Sequence, residues 1–223
     1  MSKTIKTGGP AFPEIRIKSG DNYNAPQKIY YGGSTTNPAY RDFTQTPRWL
    51  FNALHLEFNF ILDVAALPVS ALCDRYLTPD IDALSVDWGD YIPADERSPW
   101  CWCNPPYSDI GPWVVKAMVE QHNGIGTVLL VPQDQSAEWY PGDNASEVRI
   151  ITGYYDDSGK WKTGRISFVN AETGIEMQGN NKGSMLLVFA PGYRGPCRMQ
   201  HVSKGELIRQ SEMAKRLGEG MAA

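Results

Sequence analysis

The feature that most constrains the fold of this chain is a short apolar run that stops at two consecutive prolines. Trp100–Cys103 is long enough for one buried strand, and Asn104, Pro105, Pro106 and Tyr107 follow it directly. A proline has no backbone N–H and a fixed φ, so a strand cannot continue through such a pair. The sequence therefore predicts a strand whose carboxyl end carries a polar turn, where open α/β sheets bind ligands.

Further apolar runs alternate with segments of helical periodicity along the chain. Strands are predicted at residues 59–65, 126–132, 148–151, 165–169 and 184–189. Helices are predicted after the Thr46-Pro47 start signal and at residues 110–122 and 206–217. The last two strands are separated by a polar, glycine-containing stretch, which predicts a hairpin with a long loop. The pattern indicates an α/β fold with a mostly parallel sheet closed by an antiparallel hairpin.

The predicted domain organisation is a single domain with two extensions. Residues 1–40 hold five glycines and four prolines without sustained periodicity, which predicts a flexible or irregular N-terminal arm. The apolar periodicity occupies residues 41–200, and residues 201–223 are predicted to form a helical tail.

Composition narrows the class of protein without deciding its function. The net charge is −4, with five basic and two acidic side chains in residues 1–40 and six basic against sixteen acidic in residues 41–150. Such a distribution suits a site for a cationic small molecule with phosphates at its periphery, and equally an acidic solvated face. The sequence shows no apolar run of 18 residues, no signal-peptide pattern and only four cysteines, so we expect a cytoplasmic protein with free thiols and no membrane partner.

The turn after the predicted strand has the composition of a receptor for an amino group. Two prolines leave carbonyl acceptors without neighbouring N–H donors, and the Asn104 side chain adds another acceptor on the same turn. Two convergent acceptors suit an exocyclic amino group, and Tyr107 offers an aromatic face for a planar base. A rigid polyproline turn with Tyr107 in the core is the structural alternative. No His and Cys spacing suggests a metal site.

The Asn-Pro-Pro-Tyr motif (residues 104–107) resembles the catalytic motif of S-adenosylmethionine-dependent amino-methyltransferases. Its surroundings narrow the resemblance to the phage-type DNA N-6-adenine methyltransferase family, which is broadly called Dam-like. The matching segments lie between residues 44 and 191: Thr46-Pro47, Leu62-Asp63-Val64-Ala65-Ala66, Trp88, Trp113, Leu130-Val131-Pro132, Trp139, Gly164-Arg165-Ile166-Ser167-Phe168 and Gly183-Ser184-Met185-Leu186.

The resemblance implies a Rossmann-like methyltransferase fold, S-adenosylmethionine as the cofactor, adenine-containing duplex DNA as the partner, and a phage or prophage gene expressed in a bacterial host. It implies that the catalytic residues are Asn104, Pro105, Pro106 and Tyr107. It also implies that the cofactor is bound by Thr46, Pro47, Asp63, Ala65 and Asp87.

Individual roles follow from the same resemblance. Thr46 and Pro47 resemble the segment at the methionine end of the cofactor, and Asp63 resembles the residue near its amino acid portion. A carboxylate at a strand end can pair with an ammonium group, which agrees with this role. Asp87 resembles the acceptor for the adenine amino group of the cofactor. Ala65 stands in the turn where many methyltransferases have a glycine-rich sequence.

Other functions remain open from the sequence. The same acceptors suit cytosine N4 or a glutamine side chain, and a catalytically silent nucleic-acid-binding protein could keep the fold. The basic side chains that could contact phosphates are Arg149, Lys160, Lys162, Arg165, Lys182, Arg194 and Arg198. Asp134 and Trp139 follow a predicted strand end, and the sequence gives them no defined role.

Overall fold

The computed structural model of the protein describes residues 44–170, 173–177 and 180–221. The predicted arm at residues 1–40 lies outside this part of the chain. The helices within it are α1 (Arg48–Phe58), α2 (Gly111–His122) and α3 (Lys204–Met221), with short 3-10 helices at Trp88–Tyr91 and Gly142–Asn144. Its strands are β1 (Thr44–Gln45), β2 (Leu62–Asp63), β3 (Arg75–Tyr76), β4 (Trp100–Cys103), β5 (Gly126–Pro132), β6 (Glu147–Thr152), β7 (Tyr154–Tyr155), β8 (Trp161–Lys162), β9 (Val169–Asn170), β10 (Ser184–Phe189) and β11 (Arg198–Ser203).

A seven-stranded sheet in the order β11-β6-β10-β5-β4-β2-β3 forms the centre of the described structure. Neighbouring strands pair in parallel except at β10, which runs antiparallel to both β5 and β6. The mixed α/β fold with a mostly parallel sheet is therefore confirmed. Because β2 to β6 share one direction, their carboxyl ends meet at one edge of the sheet.

The predicted closing hairpin is wrong. Ser184–Phe189 pairs with β5 and β6, whereas residues 165–168 belong to no strand and Val169–Asn170 pairs with Thr44–Gln45. Ile166 and Phe168 are both buried. Their apolar pattern comes from side chains packed under an irregular segment, which sequence periodicity does not distinguish from a strand.

The predicted start of the first helix is displaced by one residue. Pro47 precedes α1 and its carbonyl accepts hydrogen bonds from the N–H groups of Leu50 and Phe51 at 3.0 and 3.3 Å. The helix ends at Asn59, whose φ of 50° is left-handed. Leu50, Phe51 and Leu54 are buried, as helical spacing predicts.

The strand before the two prolines lies in the middle of the core. Cys101, Trp102 and Cys103 have no exposed side-chain surface, and the strand pairs in parallel with β2 on one side and β5 on the other. On one face of the sheet, Trp102 meets Phe51 and Phe60 in edge-to-face contacts with ring centroids 5.9 and 5.4 Å apart. The residue that follows this strand is therefore placed by a closely packed part of the core.

The C-terminal part of the chain extends the sheet. Arg198–Ser203 pairs in parallel with β6, so this strand crosses the predicted boundary at residue 200. Lys204–Met221 then forms a helix that packs against α1. The domain boundaries at 40 and 200 remain predictions.

Arg149 is the centre of a cluster of charged groups, buried at Arg149 and Glu147, that joins α1, β6 and β11. Its guanidinium donates to both carboxylate oxygens of Glu57 at 2.6 Å and to Glu147 at 2.8 Å. Glu147 also accepts from Gln200 and lies 3.6 Å from Arg198. Burial opposes the charge on Arg149, but the hydrogen bonds to the two carboxylates hold its pKa above the usual value. Each buried charge in the cluster thus has a partner of opposite sign.

We expect Arg149→Ala to lower the free energy of unfolding by about 3–5 kcal/mol, because it leaves the buried Glu147 carboxylate without its main partner. The matched change Glu57→Ala removes the half-exposed member of the cluster and should cost about 1 kcal/mol or less. Urea unfolding of both variants measures the difference. Equal, small losses in the two variants would show that the cluster does not hold these elements together.

Candidate active site

A cleft of about 390 Å³ opens at the carboxyl ends of β2, β3 and β4. Its walls are formed by residues 64–67 after β2, by residues 77–79 after β3, and by Asn104 and Pro106 after β4. The lining is mostly apolar with a few polar groups, as in most small-molecule sites, and the volume lies in the range of such sites.

The Asn104 side chain has one end fixed and the other unused. Its Nδ2 donates to the backbone carbonyl of Thr44 at 3.0 Å, and Thr44 itself lines the cleft. Its Oδ1 is buried and accepts no hydrogen bond from the part of the chain that the structure describes. An unsatisfied buried acceptor is costly, so this oxygen is suited to receive a donor from a ligand.

The two prolines fix the turn in different ways. Pro105 is buried, whereas Pro106 lines the cleft and its carbonyl accepts from the N–H of Asp109 at 3.2 Å. This hydrogen bond closes the turn before α2 begins. The prediction from the sequence, that the Asn104 oxygen and the Pro105 carbonyl accept the protons of an amino group, remains a prediction.

Tyr107 packs edge-on against Phe168, with ring centroids 5.8 Å apart and an interplanar angle of 89°. The residue is partly buried and does not line the cleft, and its buried hydroxyl makes no hydrogen bond to the described residues. Burial raises the pKa of this hydroxyl far above its usual value, so Tyr107 stays neutral. Sequence reasoning placed Phe168 in a strand and missed its position beside the motif.

Thr46 and Pro47 lie between Thr44, which lines the cleft, and the start of α1, and neither of them lines the cleft itself. Thr46 is 2% exposed, and its Oγ1 has no hydrogen-bond partner among the described residues. The short ladder of β1 with β9 holds this segment in place, and Gln45 Nε2 donates to the carbonyl of Ser70 at 3.1 Å. The segment therefore connects the wall of the cleft to Asn104 through Thr44.

Asp63 is buried at the end of β2, and both of its carboxylate oxygens accept hydrogen bonds from backbone N–H groups. Its Oδ2 accepts from the N–H of Leu72 at 3.1 Å, and its Oδ1 from the N–H of Ala65 at 3.4 Å. Burial raises the pKa of its carboxyl to about 6, although these two hydrogen bonds oppose the shift. Asp63 does not line the cleft, whereas Ala65 does. The contact of Asp63 with a cofactor remains a prediction.

Two of the acidic residues that follow β3, Asp82 and Asp87, differ in position. Asp87 caps the 3-10 helix at Trp88–Tyr91, with its Oδ1 accepting from the N–H of Gly89 at 2.8 Å, and it does not line the cleft. Asp82 does line the cleft and has a left-handed φ of 53°. Sequence reasoning missed Asp82, although its place shortly after a strand that ends at the same sheet edge could have indicated it.

The structure separates the basic side chains that could contact phosphates. Arg149 and Arg198 are ion-paired with Glu147, so neither is a free cation. Lys162 is ion-paired as well, with its Nζ 3.3 Å from Oδ2 of Asp156. Lys160 and Arg165 are exposed and form no ion pair within the described residues.

The loop after β5 provides a wall beside α2. Asp134 Oδ1 accepts from both the N–H and the hydroxyl of Ser136 at 3.2 and 2.7 Å, and these hydrogen bonds lower the pKa of its carboxyl. Trp139 packs against the core close to Gly111, the first residue of α2. Both residues thus have structural contacts.

The described residues were compared with the requirements of a metal site and of a membrane-spanning helix. No group of three His, Cys, Asp or Glu side chains that could hold a metal ion occurs among the described residues. None of the described helices combines the length and apolar character needed to cross a bilayer.

Comparison with known proteins places the chain in one family. Residues 33–214 match the model of the family described as DNA N-6-adenine-methyltransferase (Dam). The chain is 33% identical over 181 residues to the DNA N-6-adenine-methyltransferase of Haemophilus phage HP1 (strain HP1c1), covering 78% of this chain and 94% of the relative. It is 29% identical over 208 residues to the protein of the same name from Escherichia phage T1, covering 86% and 84%. The match spans both the motif and the cleft, and the chain belongs to the DNA N-6-adenine-methyltransferase (Dam) family.

Proposed function

We propose that this chain transfers a methyl group to N6 of adenine in DNA at the cleft beside Asn104. Membership in the family supports the reaction and the substrate. The observation that carries the assignment to this cleft is the Asn104 side chain, whose nitrogen is held by Thr44 and whose buried oxygen is unused by the described residues. The arrangement on the carboxyl side of a parallel sheet supports a Rossmann-like assignment.

The residues of the cleft fit S-adenosylmethionine as the methyl donor. The unpartnered oxygen of Asn104 and the largely apolar wall are what a partly apolar, polar-ended cofactor needs, and the unpartnered oxygen of Thr46 lies two residues from Thr44 of that wall. We propose that Thr46, Pro47 and Ala65 contact it, with Asp63 or Asp82 supplying a carboxylate for its cationic or hydroxyl groups. When bound, the cofactor supplies an electrophilic methyl group on a sulfonium centre.

The target adenine must leave the DNA duplex to reach the cleft, because its N6 is paired within the base stack. Asn104 Oδ1 and the Pro105 carbonyl would then accept the two N6 protons. Two acceptors on one amino group draw its hydrogens to one side and direct the nitrogen lone pair away from the ring plane. Because an amide does not take up a proton near neutral pH, Asn104 acts by positioning and polarisation.

Tyr107 and Phe168 would hold the flipped base. In this proposal the Tyr107 ring stacks on the base, while the edge contact with Phe168 fixes the orientation of that ring. Stacking of one base on an aromatic ring is worth about 1–3 kcal/mol, which offsets part of the cost of unstacking the adenine.

The decisive experiment follows tritiated methyl transfer from S-adenosylmethionine to unmethylated DNA, to RNA and to protein in parallel. Nucleoside analysis of the product then distinguishes N6-methyladenine from N4-methylcytosine, which the same two acceptors could recognise. Sequencing of methylated DNA from bacteria that express the protein gives the recognition sequence. We expect N6-methyladenine in DNA, formed in the bacterial cytoplasm where the DNA lies; label only in protein or RNA would overturn the proposal.

Replacing Asn104 with alanine should lower the methylation rate by a factor of about 10²–10³, since it removes one acceptor aimed at the reacting amino group. Affinity for S-adenosylmethionine, measured by calorimetry, should change little. Asn123→Ala alters an exposed asparagine at the end of α2 and serves as the control. An Asn104→Ala variant with near-normal turnover would contradict the proposed mechanism.

Asp63 gives a pH-dependent prediction. Its folded pKa of about 6 lies above the usual value of about 3.9, so the native state holds the proton more tightly than the unfolded chain does. This stabilisation is fully present below pH ~4 and is lost as the pH rises through ~6. Relative to Asp63→Asn, the unfolding free energy of the parent should fall by about 2 kcal/mol between pH 4 and pH 7. Denaturant unfolding at several pH values measures it, and a difference that does not vary with pH would contradict it.

The same variant tests the predicted cofactor contact. If the Asp63 carboxylate pairs with the ammonium group of the cofactor, Asp63→Asn should weaken S-adenosylmethionine binding about tenfold or more. Asp82→Asn is the matched change inside the cleft. Unchanged affinity in a folded Asp63→Asn variant, with a loss in Asp82→Asn, would transfer the role to Asp82.

The Tyr107 ring tests base flipping. Tyr107→Ala should lower the rate on a paired duplex about tenfold or more, and the deficit should shrink when the target adenine stands opposite a mismatch. Tyr107→Phe should lose much less, because the removed hydroxyl is buried without a partner among the described residues. Rates on matched and mismatched duplexes and melting temperatures provide the measurement. Equal deficits on both duplexes would assign Tyr107 to the core instead.

A further inference from the structure

A two-stranded hairpin that directly follows β6 exposes two aromatic side chains. Its strands are β7 and β8, and their residues Tyr155 and Trp161 are 70% and 56% exposed. The two rings are in edge-to-face contact, with centroids 5.0 Å apart. Two large exposed aromatic rings side by side mark an interaction surface more often than a single exposed side chain does.

The hairpin lies at the same sheet edge as the proposed adenine site. Strands β6 and β4 run in the same direction, so the hairpin after Thr152 and Asn104 after Cys103 emerge on one side. In the sheet order, β6 is three strands from β4, which corresponds to about 14 Å. This distance is comparable to the width of a DNA major groove, about 12 Å, so the strand that carries the hairpin lies within one groove width of the strand that carries Asn104.

The base of the hairpin is held by close packing. Gly164 passes directly against the end of β6, where an added Cβ would lie 2.5 Å from the carbonyl carbon of Thr152. Tyr154 packs against Gly205 in the first turn of α3, where an added Cβ would meet its ring at 2.5 Å. Lys204 Nζ donates to the carbonyl of Arg165 at 2.7 Å. A firmly held base with an exposed tip is suited to present side chains to a large ligand.

The segment after the hairpin connects it to the motif. Ile166 is fully buried beneath the sheet edge, and two residues later Phe168 contacts the Tyr107 ring. The aromatic pair and the proposed base-binding ring are thus joined by six residues of chain between Lys162 and Val169.

Charge on the hairpin also fits a polyanion. The turn carboxylate Asp156 is occupied by Ser158, by the N–H of Lys160 and by Lys162. These hydrogen bonds, that from Ser158 first, lower the pKa of Asp156 to about 2. The exposed charges that remain are the cations Lys160 and Arg165 against Asp157. Exposed rings interleaved with unpaired cations are the usual composition of a nucleic-acid contact.

We propose that the β7–β8 hairpin is a DNA-contacting element, in which Tyr155 and Trp161 pack on the duplex beside the flipped adenine while Lys160 and Arg165 contact its phosphates. The proposal rests on the proposed function, since the cleft beside Asn104 sets where the duplex lies. The hairpin would contribute to DNA affinity and not to binding of the cofactor.

Methyl transfer at increasing concentrations of unmethylated DNA tests the aromatic pair. The double change Tyr155→Ala with Trp161→Ala should raise the KM for DNA about tenfold or more, with the saturating rate and the KM for S-adenosylmethionine unchanged. The single change Trp161→Phe keeps a ring in contact with Tyr155. Its KM for DNA should therefore stay close to that of the parent. Val115→Ala with Val119→Ala removes equally exposed side chains from α2 and is the matched control.

The cations are tested by the salt dependence of binding to a 30-base-pair duplex, followed by fluorescence anisotropy. Lys160→Gln and Arg165→Gln should each reduce the slope of log K against log salt by about 0.9, as expected for one lost phosphate contact. Neither change touches the packing of the hairpin, so this measurement stays informative even where the aromatic variant disturbs the local fold.

The outcomes separate the two proposals. If the parent does not methylate DNA, the proposed function fails, and the anisotropy slopes still decide whether the hairpin contacts DNA. If the parent methylates DNA and the aromatic and charge variants match it in KM and slope, the hairpin proposal is overturned. A change in oligomeric state by light scattering without a change in DNA affinity would overturn it as well, because the aromatic pair would then contact a second copy.

Discussion

The structure depends on a core strand that cannot continue past the two prolines after it. Trp100–Cys103 is hydrogen-bonded on both sides and packed on both faces, so its position is set by the whole core. The two prolines that follow remove the donors that a continued ladder would need. Asn104 therefore leaves the sheet at a defined point, and its amide needs only one further contact, with the carbonyl of Thr44, to be oriented. Placement comes from the sheet, and orientation comes from a segment 60 residues earlier in the chain.

Elements buried on both faces could be predicted from the sequence because burial leaves a continuous apolar run. Gly126–Pro132 and Ser184–Phe189 match their predicted bounds for this reason. Arg198–Ser203 gave no such signal: it is a largely exposed edge strand, and its pairing with β6 depends on backbone groups that every sequence has. Residues 165–168 gave the opposite error. The alternation of the buried side chains Ile166 and Phe168 is typical of a strand, but these residues do not form one.

The place of a residue in the candidate site could be predicted where a local motif ends a strand. It could not be predicted where the hydrogen-bond partners of a side chain decide its position. The position of Asn104 follows from local chain chemistry. Which carboxylate lies at the cleft does not, because Asp82 and Asp87 each accept from the backbone N–H two residues later, at 3.3 and 2.8 Å, and only Asp82 lines the cleft. Arg149 is the same case at long range: its bidentate partner Glu57 is 92 residues away, and no spacing rule reveals such a pair.

The position of β10, which runs antiparallel to both of its neighbours in the seven-stranded sheet, has a consequence for how the chain folds. It separates β5 from β6, although it follows β6 by more than thirty residues in the sequence. Until Ser184–Phe189 has been synthesised and inserted, the facing edges of β5 and β6 have no hydrogen-bonded neighbour in the sheet. Open edges of apolar strands are sites of aggregation, and pairing between distant segments is slow. Completion of the sheet is thus a late event, and the nascent chain is most vulnerable between the synthesis of β6 and that of β10.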